Sequence, residues 1–163
     1  MQYVEYFDLL KSGYKSFSFV LPGIWFLLGG IAALVLLLKF KKQVYNKISY
    51  PKFLFVFICF WVGFSLLWTS LSFYSTYTEY LSLRDALLNN ETQIIEGLVT
   101  DYANYPNDDS EGFTVNGIYF WYSPYLETNA FNKSKLVGGP IDEGKYIRIE
   151  HINGKILRLW IRQ

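Results

Sequence analysis

Two long, predominantly apolar runs extend from Phe17 to Leu38 and from Phe53 to Phe73. The 14 residues between them, KFKKQVYNKISYPK, are polar and include five lysines. The two runs are 22 and 21 residues long and contain no charged side chain. At about 1.5 Å rise per residue each reaches roughly 30 Å, the hydrocarbon thickness of a bilayer. The pattern therefore predicts a transmembrane helical hairpin over 17–73, with spans at 17–38 and 53–73 and a loop at 39–52. Pro22 and Gly23 stand in the opening turn of the first span, where a missing backbone donor costs little. Gly29 and Ala33 form a small-xxx-small pair that lets another helix approach closely, either the second span or a further copy of the chain. Between Lys52 and Glu96 there is no proline and a single glycine, Gly63, so the second helix has nothing to end it at the membrane surface. Tyr77, Tyr80, Leu81, Leu83, Leu87 and Leu88 continue at helical spacing, which predicts a juxtamembrane helix over 74–91 that ends at Asn89-Asn90 and packs its apolar stripe on the domain C-terminal to it.

From Thr92 the period changes. TQIIEGLVTDY reads as a strand bent or bulged at Gly97. GFTVNGIYFWYS and KYIRIEHINGKILRLWIRQ each place an Asn-Gly pair between alternating apolar positions, the pair that suits both positive-φ positions of a type I′ hairpin turn. The stretch between the hairpins is irregular, with one short helix expected near 126–132 and a rigid turn at Gly138-Gly139-Pro140. The count is five strands over 92–163. It predicts a small all-β domain, a five-stranded barrel of OB or SH3-like type, with an open meander as the alternative.

Charge sets the orientation. Residues 1–52 carry seven lysines against two acids, while the remainder carries eight Lys and Arg against twelve acids. Lys39, Lys41, Lys42, Lys47 and Lys52 have no acidic neighbour in their loop, whereas the N-terminal segment 1–16 offers Lys11 and Lys15 diluted by Glu5 and Asp8. By the positive-inside rule the loop is cytoplasmic, and both the N-terminus and the β-domain lie outside. A cleavable signal is the alternative for the first run, but its length and the position of its cations argue against one. Tyr14, Tyr45, Tyr50, Tyr74, Tyr77 and Tyr80 fall where headgroups are expected. Cys59 is the sole cysteine and sits in the second span, so the β-domain is expected to contain neither disulfide nor cysteine chemistry.

The segments EGLVTDY, FTVNGIYFWYS, AFNKSKLVGGPIDEGKYIRIEH and ILRLWI, spread over Glu96–Ile161, together resemble the β-domain of small bacterial membrane proteins that carry two transmembrane helices and a C-terminal OB/SH3-like domain. The resemblance implies a bacterial cytoplasmic (inner) membrane and a domain boundary near residue 92. No activity is assigned to that family, so no catalytic residue is carried over.

Little in the chain points to catalysis. His151 is the one histidine and is expected either at the surface or packed in its hairpin. Without a second histidine or a GxSxG elbow, neither a zinc site nor a serine hydrolase can be assembled around it. Asp101, Asp108, Asp109 and Glu111 lie near one loop but lack the DxDxDG spacing of a calcium site, and a solvated acidic tip is the expectation. The sequons at Asn90 and Asn132 are short pattern matches. Alternation in IYFWYSPY places Tyr119, Trp121 and Ser123 on one face and Ile118, Phe120 and Tyr122 on the other. One aromatic face fills the domain, and the second is either covered by the juxtamembrane helix or open to a partner.

The reading is a non-enzymatic, membrane-anchored interaction module with no cofactor and no nucleic acid partner, of the accessory-subunit or immunity type. Trp121, Tyr122, Tyr125 and the Gly138-Gly139-Pro140 turn are its candidate contacts with a protein partner. An envelope oligosaccharide-binding domain is the alternative. An oligomeric channel is the weaker third, because neither span carries an ionisable residue to line a pathway.

Overall fold

A computed structural model describes residues 2–107 and 109–163. The chain forms β1 (Tyr3–Asp8), α1 (Leu9–Ser12), α2 (Phe17–Lys39), α3 (Lys41–Lys47), α4 (Pro51–Leu88), β2 (Gln93–Tyr105), β3 (Ser110–Val115), β4 (Ile118–Tyr122), a 3-10 turn at Lys135–Val137, β5 (Tyr146–Ile152) and β6 (Lys155–Arg162). These group into two compact units, one of residues 17–75 and one of residues 1–16 with 76–163.

The first unit is helical. It contains α2 and the apolar part of α4, both long and apolar enough to cross a membrane. Their outward side chains include Trp25 at 69% exposure and Phe53 at 73%, so each helix is apolar on the side away from its neighbour as well. The two meet through glycines. A Cβ at Gly23 would collide with the Thr69 hydroxyl, and one at Gly30 would stand 2.9 Å from Trp61 Cδ1 and from Val62 Cγ2. Trp61 Nε1 also donates to the Phe26 carbonyl at 3.1 Å. Gly29, of the expected Gly29/Ala33 pair, faces open space, and Ala33 is half-buried. One residue of helix turns the side-chain direction by about 100°, and that step gives the close approach to Gly30. The lysine-rich connection, expected as a loop, contains the short helix α3 with all its lysines exposed.

The second unit is a six-stranded antiparallel sheet with order β1-β6-β5-β2-β3-β4. The expected five strands become six because the N-terminal segment pairs with β6, from Tyr3 opposite Arg162 to Asp8 opposite Arg158. Both Asn-Gly hairpins form their two-residue turns, with positive φ at Asn116 and Gly117 and at Asn153 and Gly154. The irregularity in β2 lies between Thr100 and Ala103, where Asp101 takes φ 54°, and not at Gly97. Gly97 has a different role: Asn116 packs over it, with Oδ1 3.1 Å from where a Cβ would sit, and donates from Nδ2 to the Glu96 carbonyl at 2.7 Å. The expected helix near 126–132 is absent, and the 3-10 turn comes after it at Lys135–Val137.

The ladder does not close into a barrel; β1 and β4 are its two ends. It nevertheless curls, since Phe120 of β4 meets His151 of β5 edge-on at 5.0 Å although β3 and β2 lie between them in the ladder. Phe131 bridges the open ends, with ring centroids 5.7 Å from Phe7 on β1 and 5.1 Å from Tyr122 on β4. Inside lie Val99, Phe113, Phe120, Ile147, Ile149 and Leu159, each fully buried, and burial of each such side chain contributes about 1.5–3 kcal/mol. Leu83 and Leu87, from the last turns of α4, join the same core. The helix then stops in a left-handed cap: Asn90 takes φ 57°, and Glu91 N–H donates to the Ala86 carbonyl at 2.9 Å.

An ion network docks β1. Arg158 Nε donates to Asp8 Oδ2 at 3.2 Å and Nη1 to Glu150 Oε2 at 3.1 Å. Thr92 Oγ1 donates to the other Glu150 oxygen at 2.5 Å. Asp8 Oδ1 meanwhile caps α1 by accepting from Leu10 N–H at 2.8 Å. Both carboxylates are nine-tenths buried, so removing the guanidinium would leave two charges without their cation.

Candidate interaction surface

β4 is an end strand, and the pleat sends its alternate side chains to opposite faces. Phe120 and Tyr122 enter the core, whereas Tyr119 and Trp121 stand on the outer face at 53% and 44% exposure. Ser123, grouped with them by alternation, is buried. Opposite Trp121 in register is Gly112. A Cβ there would collide with the Tyr119 hydroxyl oxygen, so the Tyr119 ring can cross the sheet only because this residue is glycine. The Tyr119 phenol is pushed up first by burial and then by its hydrogen bond with Tyr105 at the end of β2. Tyr105, Tyr119 and Trp121 thus form an exposed aromatic patch.

Trp121 also walls a cleft of about 170 Å³ whose other sides include Leu126, Glu127, Ile156 and Lys155, with Glu79 reaching in from α4. Glu79 Oε1 accepts from Lys155 Nζ and, at 3.2 Å, from Thr128 Oγ1. Glu127 has no ion-pair partner among the described residues. Its Oε1 is buried without a hydrogen-bond donor, and its carboxyl is pushed up by burial first and by the charge of Glu79 second.

Most of the other predicted contacts fall elsewhere. Tyr122 is a core residue, 3% exposed, whose hydroxyl donates to Glu111 Oε2 at 2.6 Å; burial and then Glu111 raise its phenol far above the usual range. Its ring also forms part of the wall of the Trp121 cleft. Tyr125 is 75% exposed and donates to Asp109 Oδ2 at 2.9 Å. Gly138 takes φ 83° to end the 3-10 turn, and its carbonyl accepts from Tyr6 at 2.6 Å. Gly139 is required by space: a Cβ would collide with the Lys133 carbonyl oxygen. The Pro140 carbonyl accepts from Lys145 at 2.7 Å, and Pro140 shares a hollow of about 370 Å³ with Val4 and Tyr6. The Gly138-Gly139-Pro140 turn therefore belongs with β1 and shares no lining residue with the Trp121 cleft.

The acidic residues diverge. Asp101 forms the bulge and Asp109 binds Tyr125, while Glu111, expected in a solvated tip, is 1% exposed. Glu111 Oε1 accepts from the Lys135 backbone N–H at 2.5 Å, so this carboxylate ties the 3-10 turn to β3. Asp108 lies outside the described residues. Among the described residues, no three His, Cys, Asp or Glu side chains are grouped to hold a metal ion. His151 is buried, with neither ring nitrogen hydrogen-bonded, and burial pushes its pKa down.

Sequence reasoning passed over two residues that organise this region. Asn129, fully buried, accepts at Oδ1 from the Lys15 and Ser16 backbone N–H groups at 2.9 and 3.4 Å, and donates from Nδ2 to the Thr76 carbonyl at 3.2 Å. Glu79 sits one helical turn further on and builds the cleft. A lone asparagine in an irregular segment carries no pattern that separates a buried clamp from an exposed turn. Glu79 had a weak signal, as the one acid between Phe53 and Leu83. No protein family, curated protein or solved structure matches the chain.

Proposed function

We propose that this protein is a membrane-anchored interaction module in which two transmembrane helices hold a small β-domain, of open OB/SH3-like type, outside a bacterial cytoplasmic membrane, where it binds and modulates a protein partner. The observation that carries this reading is the Tyr105, Tyr119 and Trp121 patch on an end strand. β4 pairs with β3 alone among the described residues, and Tyr105, Tyr119 and Trp121 are each exposed. Aromatic residues exposed together in this way mark contact surfaces. The lysines of the connection between the helices support the orientation through the positive-inside rule.

The test is co-purification of the full chain from its native membranes. W121A removes an exposed side chain and is expected to abolish capture of a discrete partner, whereas L98A, at a comparably exposed position on β2, is expected to retain it. A partner kept equally by both variants, or no partner with the unsubstituted chain, refutes the proposal.

A further inference from the structure

The cleft beside Trp121 has a size that decides what can enter it. At about 170 Å³ it holds roughly five or six water molecules at ~30 Å³ each. Pockets for whole small molecules begin at about 300 Å³. The cleft therefore suits the end of a side chain.

Its chemistry is equally selective. Lys155 is paired with Glu79, and among the described residues no cation pairs with Glu127. One Glu127 oxygen is buried without a donor, and a buried acceptor left unpaired is destabilising. Burial and Glu79 both press that carboxyl toward its protonated form, a penalty that a nearby positive charge removes. Trp121 supplies an indole wall, the aromatic surface most attractive to a cation. Leu126 and Ile156 supply apolar surface for a methylene stem. A group with a positive charge, N–H donors and an apolar stem satisfies all of these at once.

Resting on the interaction reading above, we infer that the cleft formed by Trp121, Leu126, Glu127 and Ile156 receives a basic side chain, lysine or arginine, of the partner protein, with its charged end between Glu127 and the Trp121 ring.

The probe is n-butylammonium, titrated against the full chain in neutral-detergent micelles with its five tryptophans labelled as 5-fluorotryptophan and the Trp121 fluorine signal assigned by W121F. A saturable shift of the Trp121 signal alone is expected, with no saturation by 1-butanol and at least a fivefold weaker response in E127Q. Should E127Q disturb the fold, which displacement of all five signals would reveal, the comparison of butylammonium with butanol on the unsubstituted chain decides the question. Equal responses to the two probes, no saturable response to the cation, or saturation by N-acetylglucosamine in its place overturns the inference. The titration contains no partner protein. A cation-binding cleft in a chain that captures no partner would end the interaction reading alone, and a captured partner with a cleft indifferent to cations would end this inference alone.

Discussion

Replacing Asn129 by alanine removes a side chain that ties the residues preceding α2 and the α4 backbone to the irregular segment before β5. Its amide is fully buried. Oδ1 serves two backbone donors, Lys15 N–H at 2.9 Å and Ser16 N–H at 3.4 Å, and Nδ2 reaches the Thr76 carbonyl at 3.2 Å and Glu79 Oε2 at 3.5 Å. The bond to Lys15 has the best geometry, so its loss orphans a donor at close to the full penalty, about 1–3 kcal/mol. The longer bond to Ser16 adds a fraction of that. The bonds from Nδ2 add less, because both acceptors keep spare lone pairs. The sum is about 2–4 kcal/mol, which at a urea m-value near 2 kcal/mol/M lowers the midpoint by about 1–2 M. The assay is urea unfolding of the full chain in micelles, tracked by near-ultraviolet circular dichroism. N129D sharpens it: the acceptor for Lys15 and Ser16 is kept, but a second carboxylate now faces Glu79. That loss should shrink as the pH is lowered and the introduced carboxyl takes up a proton, and it should be relieved by E79Q. A midpoint shift below about 0.25 M for N129A would refute the reasoning.

Three further outcomes are expected. His151 is held below its ordinary pKa of about 6.5 by burial, so below that pH the unfolded chain takes up a proton that the folded chain refuses. Stability should be level above about pH 6.5 and fall by up to ~1.4 kcal/mol per unit beneath it, and urea midpoints at pH 7.5 and 5.5 should show this slope lost in H151L. G139A forces a Cβ against the Lys133 carbonyl and the Ser134 backbone, which cannot step aside; it should cost about 1–3 kcal/mol in the same urea assay and break the Gly139 N–H to Ser134 carbonyl bond of 2.7 Å, whereas G29A, facing open space, should be tolerated. Fusing alkaline phosphatase to the C-terminus in a bacterial host should give active enzyme and fusing green fluorescent protein a dark product, and the reverse pattern would overturn the orientation.

The features legible in the sequence were local ones. The apolar runs, the two Asn-Gly turns and the asparagine stop after α4 each depend on residues within a few positions of one another. What escaped depended on distant partners. Residues 3–8 show no clean alternation, because a register shift between Glu5 and Phe7 puts the adjacent Phe7 and Asp8 both in buried positions; their partner strand lies some 150 residues away. Gly97 looked like a bend because a glycine in a strand often is one, yet its reason is the Asn116 side chain from another hairpin. The same limit applies at the surface. Alternation separates Trp121 from Tyr122, but periodicity cannot say which of the two faces meets the core; that is Tyr122's. The charge on Glu111 argued for solvent, and its burial is explained only by the Tyr122 hydroxyl and Lys135 amide that the fold brings to it.

The most direct measurement is photocrosslinking in native membranes, with a benzophenone amino acid placed at Trp121 or, separately, at Ile94, which is similarly exposed at 56% and lies on another strand. A discrete adduct between the chain and a second protein from position 121 and none from position 94 is predicted. No adduct from position 121, or the same adduct from both, would contradict the proposal that this face receives a partner.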